Sequence, residues 1–410
     1  MPEAAAWQFK DVKRVPDRRP IDSKVIVKGR VFTGEPGGHI RDGFVRFESG
    51  RITAVGRSAE LGSGTDDARI IEAPDRTIMP GLINNHAHLA WDGANDLAAQ
   101  ALEDSPEISA YKCAANMLRS LRAGVTTVRD LGMNKSSFAA KQAVAQGIIR
   151  GPKLRICGEA IVQTGGHTYW CCREASGPDE MRRAVREQVR GGADLIKIMG
   201  CHDRLEFTDE ELDAVVDETH RNGLRITAHA TYDACIRRMV EHGVDMLEHG
   251  GPMTDDTIQL LLDRKTFITT TFSPLVMQAA EGEAWGMPAW KVQERKRAIA
   301  DPSRHQGLVK AAKAGVPIVF GTDAGSPVVP HDVIAPELKF MVEVGVCNGN
   351  EDALVSITSL SAKLNDIADD RGTLAVGKAA DLIIVDGDPI NDLDALERID
   401  AVFLDGRKVV

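Results

Sequence analysis

His86 and His88 stand two residues apart in PGLINNHAHL, just after a Pro80-Gly81 break and the apolar pair Leu82-Ile83. Side chains on a β-strand alternate between faces, so this spacing turns both imidazoles toward one point. Two imidazole nitrogens offered from a rigid strand are a common way of holding a divalent metal ion. Taken alone, His-x-His more often marks two structural histidines. Residues of matching chemistry recur, however: His167 in TGGH, Lys197 in LIKIM, His229 in TAHA, His249 in LEHG and Asp323 in GTDAG.

The elements that would position them are short apolar strands separated by helical segments. LINNHAHL, GVTTVRDLG, KLRICGEAI, DLIKIMG, RITAHA, MLEHG, FITTTFS and IVFGTDAG read as strands. SPEISAYKCAANMLRSLRA, GPDEMRRAVREQVRGG, TDEELDAVVDETHRNG and DPSRHQGLVKAAKAG read as helices between them. Strands alternating with helices mean βα units and a parallel sheet, and eight strands in about 250 residues is the size of a (β/α)8 TIM barrel. A doubly wound sheet is the second choice, weakened because no glycine-rich nucleotide fingerprint follows the first strand. Barrel function collects at the C-terminal ends of strands. His86 and His88 fall at the end of the first, Lys197 on the fourth, His229 on the fifth, His249 on the sixth and Asp323 on the eighth, with His167 just past the third. Randomly scattered histidines would not track strand ends, and this outweighs the structural reading. Four such histidines and an aspartate make a nitrogen/oxygen donor set suited to Zn²⁺, or to Mn²⁺, Co²⁺ or Fe²⁺.

Both chain ends read differently. KVIVKGRVFTG and GFVRFESGRITAVG near the start, and DLIIVDGDP and AVFLDGRKVV near the end, are strand–turn–strand patterns. They predict one small antiparallel β-sandwich domain from residues 1–79 and 373–410, with an α/β barrel over residues 80–372 inserted between. A net charge of −10 with interspersed signs speaks against nucleic acid and anionic membranes as partners. Residues 1–20 form a loose arm with no apolar leader, and no stretch is long enough to span a membrane. Seven scattered cysteines without a CxxC pair fit a reducing cytoplasm rather than a disulfide framework.

With PGLINNHAHL, GVTTVRDLG, TGGH, GADLIKIM, TAHA, DMLEHG, GTDAG and the tail GKAADLIIVDGDP all present, the chain resembles the amidohydrolase superfamily. The resemblance is to its imidazolonepropionase-like and Xaa-Pro dipeptidase-like branch, and it runs from about residue 25 to the C-terminus. It implies two divalent ions, most simply Zn²⁺: one held by His86, His88 and Asp323, the other by His229 and His249. Lys197 would bridge them as a CO₂-derived carboxylate, since an ammonium has three donors and no acceptor. The implied reaction is hydrolysis of a C–N bond by a metal-bridging hydroxide, with Asp323 as general acid–base and His167 donating to the carbonyl oxygen.

Two departures weaken inference from relatives about substrate. Asn84 stands where Asp is usual after PGLI, and Gly200-Cys201-His202-Asp203-Arg204 replaces a glycine pair after Lys197. His202 there reads as a solvated loop residue. His167, Tyr169, Trp170, Arg173, Arg204 and Tyr232 all fall in βα loops and predict a basic, aromatic lining for a small substrate with a carboxylate. Tyr232, three past His229, matches positions that contact the substrate carboxylate in dipeptidase-like relatives. The expected activity is cleavage of an amide, dipeptide or N-acyl amino acid by a homo-oligomeric enzyme. The alternatives are a hydrolase of a neutral carbamate, urea or cyclic amide, or a mononuclear deaminase or chlorohydrolase on a heteroaromatic ring. A non-catalytic barrel would have no need of the full set of ligand positions.

Overall fold

The structure, a computed structural model, describes residues 24–62 and 67–410; the loose arm over residues 1–20 lies outside the described residues. Eight parallel strands line the barrel: β1 (Leu82–Ala87), β2 (Val125–Asp130), β3 (Lys153–Ile156), β4 (Leu195–Met199), β5 (Arg225–Ala230), β6 (Met246–His249), β7 (Phe267–Thr269) and β8 (Ile318–Val319). β1 to β3 pair in one run and β4 to β8 in another. Two seams join the runs. The Asp194 amide donates to Ile156 (2.8 Å) between β3 and β4, and the His88 amide donates to Ala324 (2.8 Å) where the chain leaving β8 meets β1. Every side chain of β1, β2 and β4 is buried. That is why none of them shows the in–out alternation of a half-exposed strand, and why polar residues on them such as Asn85 and Arg129 are buried and hydrogen-bonded.

The four helical segments form as the sequence predicts, at Pro106–Arg122, Pro178–Gly191, Asp209–Arg221 and Ser303–Ala314. Ser105 and Thr208 cap the first and third, and Thr208 forms a reciprocal capping box with Glu211. KLRICGEAI is not one strand. It stops at Ile156, turns at Gly158 (φ 75°), and resumes as Ile161–Val162, which pairs with β4 and with Arg173–Glu174. The turn needs glycine, because a Cβ there would lie 2.3 Å from the Phe138 ring.

A second sheet takes strands from both chain ends, in the order Arg407–Lys408, Ile399–Leu404, Leu382–Asp386, Arg69–Pro80, Lys24–Phe32, His39–Glu48, Arg51–Arg57. Phe47 and Phe403 meet edge-on at 5.4 Å in its core, tying one end of the chain to the other. The turns Ser49-Gly50 and Asp405-Gly406 both have two positive-φ residues, as a two-residue hairpin requires. Two expectations need correction. The sheet is mixed, because Lys24–Phe32 runs parallel to the unforeseen strand Arg69–Pro80. Asp386-Gly387 starts a longer connection through Leu393–Glu397, not a hairpin. Arg69–Pro80 leads almost directly into β1, so the sheet feeds the strand that carries His86 and His88. No helix among the described residues is long and apolar enough to cross a membrane.

Candidate metal centre

The ends of β1 and β8 are bound together before any ligand is considered. Asn84 donates to the Thr322 hydroxyl (2.7 Å) and accepts from the amides of His86 (3.2 Å) and Thr322 (3.3 Å). Gly321 allows the close approach, since a Cβ would lie 2.5 Å from Thr269 and 2.9 Å from His86 Cβ. Asp323 (φ 54°) and His249 (φ 72°) both adopt left-handed backbone at their strand ends. For non-glycine residues this costs about 1–2 kcal/mol each, strain of the kind that collects at functional sites.

His86, His88 and Asp323 converge. Oδ1 of Asp323 lies 3.0 Å from His88 Nε2 and 3.4 Å from His86 Nε2, and the three donor atoms fall within 4.8 Å of one another. His88 Nδ1 lies 2.7 Å from the Gly132 carbonyl and donates to it, which turns Nε2 toward Asp323. His249 Nδ1 is held by the Thr271 hydroxyl (2.6 Å). The other imidazoles continue across the mouth as a contiguous series. Ring centroids step from His86 to His249 (4.9 Å), to His229 (4.5 Å), to His167 (4.6 Å) and to His202 (4.5 Å). Lys197 is buried on β4, and among the described residues its ammonium makes no hydrogen bond or ion pair.

The electrostatics prepare donors. Burial lowers the pKa of His86, His229 and His249, leaving their imidazoles neutral. Burial would raise Asp323, but the imidazoles of His86 and His88 outweigh it and hold the carboxyl well below its usual value. For His88 the same contact with Asp323 overcomes burial and raises its pKa. Burial pulls Lys197 down. The neutral imidazoles of His86, His229 and His249, together with His88 and the ionised Asp323 carboxylate, are a donor set that a borderline divalent cation takes, displacing the proton from His88, so the residues fit a metal ion.

Outside this cluster lies a cleft of about 490 Å³, lined by His167, Tyr169, Trp170, His202, Arg204 and Glu206. Burial lowers His167 to about 4, with the His202 ring stacked on it adding to the shift. His202 is thus solvent-facing but not idle. Trp170 lies 5.8 Å from the Trp91 ring, which in turn lies 4.7 Å from His88, so an indole wall runs from cleft to cluster. Tyr232 precedes the helix Asp233–Glu241, outside the lining of that cleft, and burial beside Cys201 and Cys235 pushes its hydroxyl up to about 12. Arg173 does not join the lining. Glu187 (2.8 Å) and Glu180 (3.0 Å) hold its guanidinium on the neighbouring helix, a correction to the expected basic mouth.

Several participants escaped the sequence reading. Glu248, buried beside His249, lies 2.8 Å from His86 Nδ1 and 2.7 Å from Arg129. The signal was there in two charges of opposite sign, Arg129 and Glu248, inside short strands of the barrel. Trp91 had no signal beyond lying in the loop after His88. Glu206 accepts from the His167 amide (2.6 Å) and so anchors the TGGH loop.

The amidohydrolase family model matches residues 77–409 of the chain. The chain belongs to the amidohydrolase family. As a family member it is a hydrolase of carbon–nitrogen bonds. It is 29% identical to an ochratoxinase of Aspergillus niger, over 79% of this chain and 73% of that one. Among solved structures it resembles a Xaa-Pro dipeptidase with methionine bound in its active site, at TM-score 0.84 and 27% identity over 94% of this chain and 99% of that one. The A. niger ochratoxinase structure superposes at TM-score 0.81 and 25% identity, covering 94% and 95% of the two chains. The amidohydrolase fold of this chain is therefore the (β/α)8 barrel with a β-domain built from both chain ends.

Proposed function

We propose that this amidohydrolase cleaves the amide of a small substrate bearing a carboxylate, such as an N-acyl amino acid or a dipeptide, at a binuclear metal centre. The observation that carries the reading is the convergence of His86, His88 and Asp323 beside His229, His249 and the buried Lys197, whose amine has no bonding partner among the described residues. His86, His88 and Asp323 would hold one ion, and His229 and His249 the other. Divalent ions there, most simply Zn²⁺, supply Lewis-acid polarisation of the carbonyl and a lowered pKa for water. Burial favours the neutral amine of Lys197. The neutral amine is the form that adds to CO₂, releasing one proton and leaving a carbamate with two acceptor oxygens in place of an ammonium.

Asp323, ionised and within 3.0 Å of His88, is placed to take a proton from the attacking water and return it to the departing amine. His167 faces the cluster across His229 and can donate to the carbonyl oxygen. Arg204 and His202 supply positive and donor groups for a substrate carboxylate, and the Trp91–Trp170 wall suits an apolar or aromatic acyl part. The ochratoxinase and dipeptidase relatives are named for substrates compatible with that division. Tyr232 is retained as a carboxylate contact in this proposal. Seven free cysteines suit a reducing cytoplasm, and a homo-oligomer completes the proposal.

The test compares kcat/KM for an N-acyl amino acid and its methyl ester, using enzyme loaded with Zn²⁺ and assayed for ion content. Each charge-assisted hydrogen bond is worth roughly 1.5–3 kcal/mol, so the acid should win by about one to two powers of ten. Arg204→Ala and Tyr232→Phe should narrow the gap. Equal rates for acid and ester would move the enzyme to neutral carbamates, ureas or cyclic amides. A single bound ion with activity on a heteroaromatic amine would favour the deaminase reading.

A further inference from the structure

Behind the metal-centre residues lies a run of buried polar groups that hydrolysis itself does not use. Glu248 on β6 is 0% exposed, and Arg129 on β2 is 1% exposed. One carboxylate oxygen of Glu248 lies 2.8 Å from His86 Nδ1; the other accepts from Arg129 Nη2 at 2.7 Å and from the Thr227 hydroxyl. Arg129 in turn donates to the Asn85 carbonyl (2.6 Å) and to Thr269 (2.9 Å). The network thus takes groups from β1, β2, β5, β6 and β7. A buried ion pair seldom stabilises a fold more than apolar side chains of the same volume would. Its presence inside the barrel calls for another use.

We propose that the Arg129–Glu248 pair is a positioning device for His86, setting the affinity of the His86–His88–Asp323 cluster for a divalent ion. A carboxylate flanked by an arginine can only accept, so the His86 proton must sit on Nδ1 and the lone pair on Nε2, 3.4 Å from Asp323. His88 makes the contrast within the molecule. Its Nδ1 is held by a backbone carbonyl, that of Gly132. Of the two rings, only His86 is backed at Nδ1 by a charged acceptor, which makes it the stronger donor. Arg129 on β2 and Thr227 on β5 hold that acceptor on β6, so the His86 ring is fixed against a carboxylate that is itself bonded to two other strands.

This inference rests on the metal reading above, and Glu248→Gln tests it sharply. A glutamine cannot satisfy both neighbours. With its oxygen toward Arg129, its NH₂ faces His86 Nδ1 and drives the proton to Nε2, which blocks the ligating atom. With its oxygen toward His86, its NH₂ faces the guanidinium, donor to donor. The double variant Arg129→Met/Glu248→Gln removes that conflict and leaves no unpaired buried charge. The experiment measures Zn²⁺ affinity of the full chain by chelator competition. It also measures the His86 tautomer in metal-free, ¹⁵N-histidine-labelled protein, assigned by difference from His86→Ala.

The wild type should show the Nδ1–H tautomer. Glu248→Gln should move to Nε2–H and weaken Zn²⁺ binding by about ten- to a hundredfold, the usual effect of losing a ligand's orienting partner. The double variant should return to Nδ1–H and recover most of the affinity, which also serves if the single variant does not fold. A wild-type Nε2–H tautomer, or wild-type Zn²⁺ affinity in either variant while it holds Nε2–H, overturns the proposal. Wild-type protein that binds no Zn²⁺ overturns the metal reading instead, and the tautomer of the metal-free protein still decides the positioning claim.

Discussion

Asp323→Asn separates the chemistry of the aspartate from its geometry. Asp323 sits at φ 54°, and asparagine is one of the few residues that tolerates that conformation, so backbone and volume are kept. The loss is the negative charge 3.0 Å from His88 Nε2 and 3.4 Å from His86 Nε2. A general acid–base group contributes about 10²–10⁴-fold, or roughly 3–5 kcal/mol of barrier at 1.36 kcal/mol per decade. The assay is kcat on an N-acyl amino acid at saturating Zn²⁺, with ion content by elemental analysis and Tm in parallel. Asp323→Ala supplies the control. It loses the same charge and the ligating oxygen as well, and adds about 1 kcal/mol of left-handed strain, so its Tm should fall about 2 °C further and its bound ions should fall below those of the Asn variant. Turnover within tenfold of wild type in the Asn variant, with ions bound, refutes the acid–base role and leaves Asp323 a ligand only.

Three further outcomes are expected. Lys197→Ala should lose bound ions and activity, and short carboxylic acids should restore part of both by standing in for the carbamate; an unmodified lysine in density beside two bound ions refutes the modification. Gly321→Ala should cost about 1–3 kcal/mol by overpacking, because its Cβ would lie 2.5 Å from Thr269 and 2.9 Å from His86, and an unchanged melting curve would contradict that contact. Glu337 is buried under the helix Ser273–Glu281, accepting from the Phe272 and Ser273 amides and the Ser273 hydroxyl. Burial outweighs those bonds and pushes its carboxyl up to about 7 from an ordinary 4.5. Between those values the folded chain binds a proton that the unfolded chain does not, so this group's contribution falls as pH rises, by up to about 3 kcal/mol. Glu337→Gln should remove that slope when melts at pH 5 and pH 8 are compared with wild type, and an unchanged slope refutes it.

The barrel strands and the residues at their ends were legible because the evidence for them is local. LINNHA opens on the apolar pair Leu82-Ile83 and LIKIM is apolar but for Lys197, so both read as buried strands whose polar residues lie toward the barrel mouth. The same reasoning missed the break at Gly158, where packing against Phe138 decides the turn. It also misjudged Arg173, whose charge is spent on Glu180 and Glu187 one helix away.

By itself, the sequence determined the approximate positions of the barrel strands, which way His86 and His88 face, and that hairpins form at Ser49-Gly50 and Asp405-Gly406. These follow from side-chain period, backbone freedom and burial over a few residues, none of which needs a partner. Tertiary structure alone decided which charges meet. Arg129 and Glu248 are 119 residues apart and His86 and Glu248 162 apart, yet the barrel's order of strands puts all three within bonding distance. It also decided the left-handed turns of His249 and Asp323 and the meeting of Trp91 with Trp170. A side chain's type states what it can bond to, but distance along the chain carries no information about position around a closed sheet. Only closure of β8 onto β1 brings Asp323 to the two histidines.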